Sequence, residues 1–132
     1  SDFLFWAAIR LAPDTLTRVL LGTDPALVAG ASRAEQARMA MMLEHILPVS
    51  SRRLGLLNEA RVMSSLERYP LERIAAPTLA ISTQDDRYQT WERARYTAGQ
   101  IRGARFVSYP NGGHMLVGRL QEATEEIARF LK

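Results

Sequence analysis

The chain has 132 residues, 47% of them hydrophobic and 23% charged, with eight Gly, six Pro and no Cys. It reads as one soluble globular domain or a large piece of one, and the composition excludes a disordered chain, a disulfide framework, a thiolate metal site and a cysteine nucleophile. The net charge of +3 comes from Arg scattered from Arg10 to Arg129 with acids between them, so the clustered basic footprint of a nucleic-acid binder is missing. Residues 1–70 read as helices only. Phe3, Trp6, Ala7, Arg10 and Leu11 follow helical spacing, and Pro13 is expected to end that run. Asp14 is the expected cap of a second helix carrying Leu16, Val19 and Leu20, closed by Gly22. Asp24-Pro25 is a cap followed by proline at the first helical position, and Ser32-Arg33-Ala34-Glu35 has the form of a capping box. The helix it opens carries Met39, Met42, Leu43 and Ile46 and stops before Pro48. Ser51 opens the next, with Leu54, Leu57, Ala60 and Leu66 as candidate buried positions.

The pattern changes at Pro77. Residues 78–82 form a short β-rich run, a polar loop follows from Thr83 to Gln89, and a helix runs from Thr90 to Ile101. Residues 104–109 are a second strand, Pro110-Asn111-Gly112-Gly113 is a turn, and Leu120, Ala123, Ile127 and Leu131 form one face of a terminal helix. Strand, helix, strand, helix predicts α/β architecture with two parallel strands. The intervening segment, 83–103, exceeds the dozen or so residues that a parallel crossover needs. Two parallel strands are marginal alone, so further strands are expected outside this chain.

The most apolar stretch, Phe3 to Ala12, contains Arg10 and falls well short of the ~20 residues a bilayer requires. Asp2 stands where a signal peptide would carry positive charge. No membrane association is expected, and with no Cys the expected location is cytoplasmic. The abrupt apolar start, Phe3-Leu4-Phe5-Trp6, looks like a cut into a longer protein.

Parallel neighbours carry their C-terminal loops on one edge of the sheet, where sites form in open α/β folds. The two loops here hold Gln84-Asp85-Asp86-Arg87 and Asn111-Gly112-Gly113-His114. A carboxylate that fixes the tautomer of a His base is half of a hydrolytic triad. With only His45 and His114 available, a histidine-rich metal site is not expected and no cofactor is implied. His45 beside Glu44 reads as structural.

At this point the sequence resembles the C-terminal part of the α/β-hydrolase fold family. Leu71-Glu72-Arg73-Ile74-Ala75-Ala76-Pro77-Thr78-Leu79-Ala80-Ile81 is similar to the lead-in to the family's seventh strand, after which the acid follows as Gly-x-x-Asp. Counting along the chain puts Thr83 at the glycine and Asp86 at the acid; because Thr83 departs from the pattern, Asp85 stays open as the alternative, otherwise read as a solvated loop acid. Gly103-Ala104-Arg105, then Gly112-Gly113-His114, resembles the family's approach to its catalytic His, and the final helix ending Ile127-Ala128-Arg129-Phe130-Leu131 is also similar. The resemblance implies that residues 1–70 are the helical cap over the pocket and 71–132 the C-terminal βαβα segment of the hydrolase core. Met42, Ile46 and Met115 are candidate pocket residues.

The family's nucleophile elbow, G-x-S-x-G, lies upstream of the cap, and no Ser of this chain sits between such glycines. The expectation is therefore the C-terminal portion of a serine-type hydrolase for a small, largely apolar ester or related compound, with Asp86 and His114 as acid and base. Its partners are that small molecule and the missing N-terminal half, and the piece alone is expected to self-associate. Relatives that use an Asp nucleophile share the fold. Carbon–carbon bond hydrolases usually place Trp after the His, where this chain has Met115. The alternative from another class is a non-catalytic fragment or a ligand-binding relative.

Overall fold

A computed structural model describes residues 2–132. The chain runs α1 (Asp2–Leu11), α2 (Pro13–Leu20), α3 (Pro25–Ala29), α4 (Arg33–Glu44), α5 (Val49–Ser64), a 3₁₀ turn (Leu71–Arg73), β1 (Leu79–Thr83), α6 (Thr90–Gln100), β2 (Arg105–Tyr109) and α7 (Leu120–Phe130). This is the expected α/β order, with helices first and the strands last.

The helix starts show how local chemistry sets the boundaries. The Asp24 carboxylate accepts from the Ala26 amide at 2.9 Å and opens α3, with Pro25 at its first position. Ser32 Oγ accepts from the Glu35 amide at 3.3 Å and opens α4. The capping box is only half made, however, because the Glu35 carboxylate is engaged by Arg38 and by the Gly118 amide. Pro13 does not separate the first two helices as a loop would. It occupies the first position of α2, where no amide hydrogen is needed, and Ala12 rather than Asp14 is the N-cap residue. Asp14 instead places negative charge in the first turn, on the favourable side of the helix dipole.

The strands pair in parallel, with Leu79 opposite Arg105 through Thr83 opposite Tyr109. Gln84 N–H donates to the Tyr109 carbonyl at 2.9 Å, so the ladder reaches the loop that holds the acid. Helix α6 is the crossover and packs on both strands, burying Ala98 and Ile101. Trp91 at its start donates from Nε1 to Ser108 Oγ at 2.7 Å, tying the helix to the end of β2.

The hydrophobic core lies among the helices. Ile9, Leu21, Met39, Leu43 and Val117 are buried together, with Leu16, Met42, Ile46 and Met115 packed against them. Val117 and Met115 follow His114 in sequence, so the helical part and the His loop share this core. Two predicted faces are not buried. Leu54, Leu57 and Leu66 are exposed, because among the described elements α5 packs only against α1. On α7 only Ala123 is buried; Leu120, Ile127 and Leu131 are exposed, since among these elements the helix meets β1 alone. Among the described residues no helix is long and apolar enough to cross a membrane.

Candidate active site

β1 ends at Thr83 and β2 at Tyr109, side by side in register, so the loops that follow emerge at the same edge of the sheet. Asp86 lies three residues beyond β1. Gln89 takes a left-handed conformation (φ 57°) and turns the chain into α6. After β2 the chain turns through Gly112 and Gly113. Gly113 has φ 60°, and a Cβ there would lie 2.7 Å from Thr23, so any side chain would collide with the buried α2–α3 connection.

The loops bring Asp86 and His114 together. Asp86 Oδ2 lies 2.9 Å from His114 Nδ1. The Asp86 side chain is 1% exposed and that of His114 34%, so the acid is sealed while the imidazole remains reachable. Burial works against the charged form of Asp86. It is outweighed by hydrogen bonds from Thr90 Oγ1, His114 and the Tyr88 amide, which together hold the carboxyl below its ordinary value of 3.8. Thr90 donates to Asp86, so the Ser82 hydroxyl, 3.1 Å from Thr90 Oγ1, donates to Thr90 and extends the chain of hydrogen bonds inward.

With Nδ1 on a carboxylate, the neutral imidazole carries its proton there and presents Nε2 as a base. Nε2 has no hydrogen-bond partner among the described residues. His114 borders a cleft of about 90 Å³, lined by Ile81, Ser82, Thr83, Asp86, Thr90, Gly113, His114 and Leu116. A larger groove, about 490 Å³ and lined by Leu66, Tyr69, Leu71 and Tyr96 among others, holds no imidazole. His45 is exposed at the end of α4. No three His, Asp or Glu side chains converge as a cation site among the described residues.

The helical part reaches this pair directly. The Gly22 carbonyl accepts from both the Arg87 amide (3.2 Å) and the His114 amide (3.3 Å), one acceptor serving both loops. A Cβ at Gly22 would lie 2.9 Å from His114 Cβ and 3.0 Å from the Tyr88 ring, and the residue has φ 54°, so glycine is required twice over. Tyr88 meets the His114 ring edge-on at 4.8 Å between centroids and donates its hydroxyl to the Val19 carbonyl at 2.8 Å. From α4, Arg38 donates to the Met115 carbonyl at 2.9 Å while its partner Glu35 accepts from Gly118, so both members of one ion pair hold the segment after His114.

Met42, Ile46 and Met115 pack on the helical core, and none of them lines the cleft at His114. Thr83, at the position where the related pattern has glycine, donates Oγ1 to the Gly113 carbonyl at 2.9 Å and is fully buried. Asp85 is an exposed loop acid, as expected, and its carboxylate also accepts from the amides of Gly112 (3.2 Å) and Gly113 (2.9 Å). Sequence reasoning named Asp85 only as an alternative acid and missed its hold on the glycine amides, and it missed the part that Thr90, Tyr88 and Gly22 play at the site. Only Thr90 carried a readable signal, a hydroxyl four residues after the acid at a helix start.

No curated protein and no solved structure matches the chain. The serine hydrolase family model matches residues 7–132, a span that takes in the end of α1, the other helices, both strands and both loops, in agreement with the resemblance drawn from the sequence. The chain belongs to the serine hydrolase family, and its function is that of a hydrolase.

Proposed function

We propose that this hydrolase works through a serine–histidine–aspartate triad of the α/β-hydrolase type, with Asp86 as the acid and His114 as the base. The observation that carries the reading is the 2.9 Å contact between Asp86 Oδ2 and His114 Nδ1, combined with a free Nε2 beside a cleft. In this reading a serine Oγ attacks the ester carbonyl carbon and its proton passes to Nε2. The carboxylate of Asp86, kept ionised by its three hydrogen bonds, stabilises the imidazolium without taking its proton. The C–O bond to the leaving group then breaks as Nε2 returns the proton to the departing oxygen. Water repeats the sequence on the acyl-enzyme and releases the acid.

The nucleophile comes from a segment preceding these residues, since none of the chain's serines stands in a G-x-S-x-G elbow. Residues 1–70 form the cap and 71–132 the C-terminal part of the catalytic core. What supports a cap is the direct seating of the α2–α3 connection on both loops through the Gly22 carbonyl. The substrate is a small, largely apolar ester or related compound, the class of substrate that the resemblance to the α/β-hydrolase fold family implies.

The test is ester hydrolysis by the full-length protein. His114→Ala is expected to lower kcat by about 10⁴- to 10⁶-fold, with Asp86→Asn somewhat milder, because triad members act as a unit. Residues 1–132 alone should turn over no faster than free imidazole. More than a tenth of wild-type activity in His114→Ala removes the role assigned to it. Absence of turnover in the unaltered full-length protein across short acyl esters would favour a ligand-binding relative instead.

A further inference from the structure

His114 leaves the backbone immediately after two glycines, and such a turn is loose unless something else holds it, because glycine has access to more backbone conformations than any other residue. Both amides of this turn are held by one side chain. Asp85 Oδ1 accepts from Gly113 N–H at 2.9 Å and Oδ2 from Gly112 N–H at 3.2 Å. The Gly113 carbonyl accepts from Thr83 Oγ1 at 2.9 Å. The end of β1 therefore grips Gly113 at its nitrogen and at its oxygen. One residue further on, Asp86 grips the ring of His114 at Nδ1. Adjacent carboxylates on one short loop thus fix the same segment at two levels, backbone and ring, and the peptide between them sets the distance between the two grips.

We propose that Asp85 is a positioning residue for His114: by holding the Gly112–Gly113 amides it places the imidazole so that Nδ1 meets Asp86 while Nε2 faces the cleft. The proposal rests on the reading of His114 as the base. Asp85 touches no reacting atom in that reading; it acts through the turn. A displacement of about 1 Å in a catalytic group can cost on the order of 10²-fold in rate, and removal of partners that orient a functional group typically costs about 10- to 100-fold. Those magnitudes set the expectation.

Two variants of the full-length protein test it. Asp85→Ala removes both acceptors, and Asp85→Asn keeps the shape and one acceptor. The expected result for Asp85→Ala is a kcat for ester hydrolysis reduced about 10- to 100-fold, with KM changed less than twofold, and a smaller loss of the same kind for Asp85→Asn. The second readout is the His114 Nδ1 proton in the ¹H NMR spectrum. A proton shared with a carboxylate resonates far downfield; in Asp85→Ala this resonance should broaden or move upfield, although Asp86 is intact. That resonance reports the Asp86–His114 hydrogen bond whatever His114 does in catalysis, so failure of the triad reading, seen as activity surviving in His114→Ala, is distinguishable from failure of this proposal. A wild-type resonance together with kcat within twofold of wild type in both variants overturns it. If Asp85→Ala fails to fold, the same two readouts on the near-isosteric Asp85→Asn decide.

Discussion

Two parts of this molecule carry similar apolar patterns and use them differently. In α1, α2 and α4 the apolar stripe closes on itself and on the His loop, burying Ile9, Leu21, Met39 and Leu43 around Val117. In α5 and α7 the apolar side chains stay open, with Leu54, Leu57 and Met63 exposed on α5 and Leu131 exposed just past α7. Spacing of apolar residues reports that a helix has a face to bury; it does not report what lies opposite. The difference has a functional consequence. The closed region also contains Gly22, Thr23 and Arg38, which hold the backbone around His114, so packing and the placement of the imidazole are coupled there. The open faces lie apart from that coupling.

Hollowing out the closed region should have the largest effect. Met39 is 1% exposed and sits at the centre of the helical cluster. Met39→Ala should cost about 2–5 kcal/mol in equilibrium unfolding, the range for truncating a large buried apolar side chain. Because Met115 and Val117 lean on the same cluster, the variant should also lose hydrolysis before it loses its fold. Retention of both stability and rate would show that the core and the His loop are independent.

A smaller effect should come from the acid itself, and its pH dependence has a definite sign. Asp86 titrates below 3.8 in the folded protein because the hydrogen bonds it accepts favour the carboxylate more than burial opposes it. A depressed folded value means that the charged form stabilises the fold at pH above the unfolded value. That contribution fades as pH falls through 3.8 and on through the lower folded value. Asp86→Asn keeps an oxygen for the Tyr88 amide but puts an NH2 donor where one oxygen accepts from Thr90 and His114, and should cost about 1–3 kcal/mol at neutral pH. It should also make the unfolding free energy flatter below about pH 4 than in the unaltered protein. Parallel acid profiles for the two proteins would mean that Asp86 is not held as its contacts indicate.

Much of this was legible in the sequence, for reasons that differ by element. Asp24 and Ser32 cap helices because a side-chain acceptor two or three residues ahead of a free amide is a local matter, written in the order of residues. The two strands and the meeting of Asp86 with His114 were legible because parallel pairing sends both loops to one edge regardless of what packs around them. Pro13 ends the first run as expected; Asp14 misled as a cap because the proline that stops one helix also starts the next. Asp85 was unreadable for a deeper reason: its partners are backbone amides of glycines 27 and 28 residues away, and backbone groups have no signature in sequence. Thr83 shows the reverse case. A departure from the related pattern turned out to place a buried hydroxyl on the Gly113 carbonyl, a contact that glycine could not make.

The smallest expected effect lies on the open side. Leu54 is 82% exposed, in the middle of α5, and an exposed apolar side chain has little transfer free energy left to lose. Leu54→Ala should change the unfolding free energy by no more than about 0.5 kcal/mol, as surface substitutions generally do, against several times that for Met39→Ala. The same measurement over a wide range of protein concentration tests whether the open face is covered in solution. If the apolar stripe of α5 is covered in solution by a second copy of the chain, the unaltered protein gains stability with concentration by mass action, and Leu54→Ala loses that gain. A concentration-independent loss above about 1.5 kcal/mol, well outside the surface range, would instead show that Leu54 is buried within one chain and that the division into closed and open regions is drawn in the wrong place.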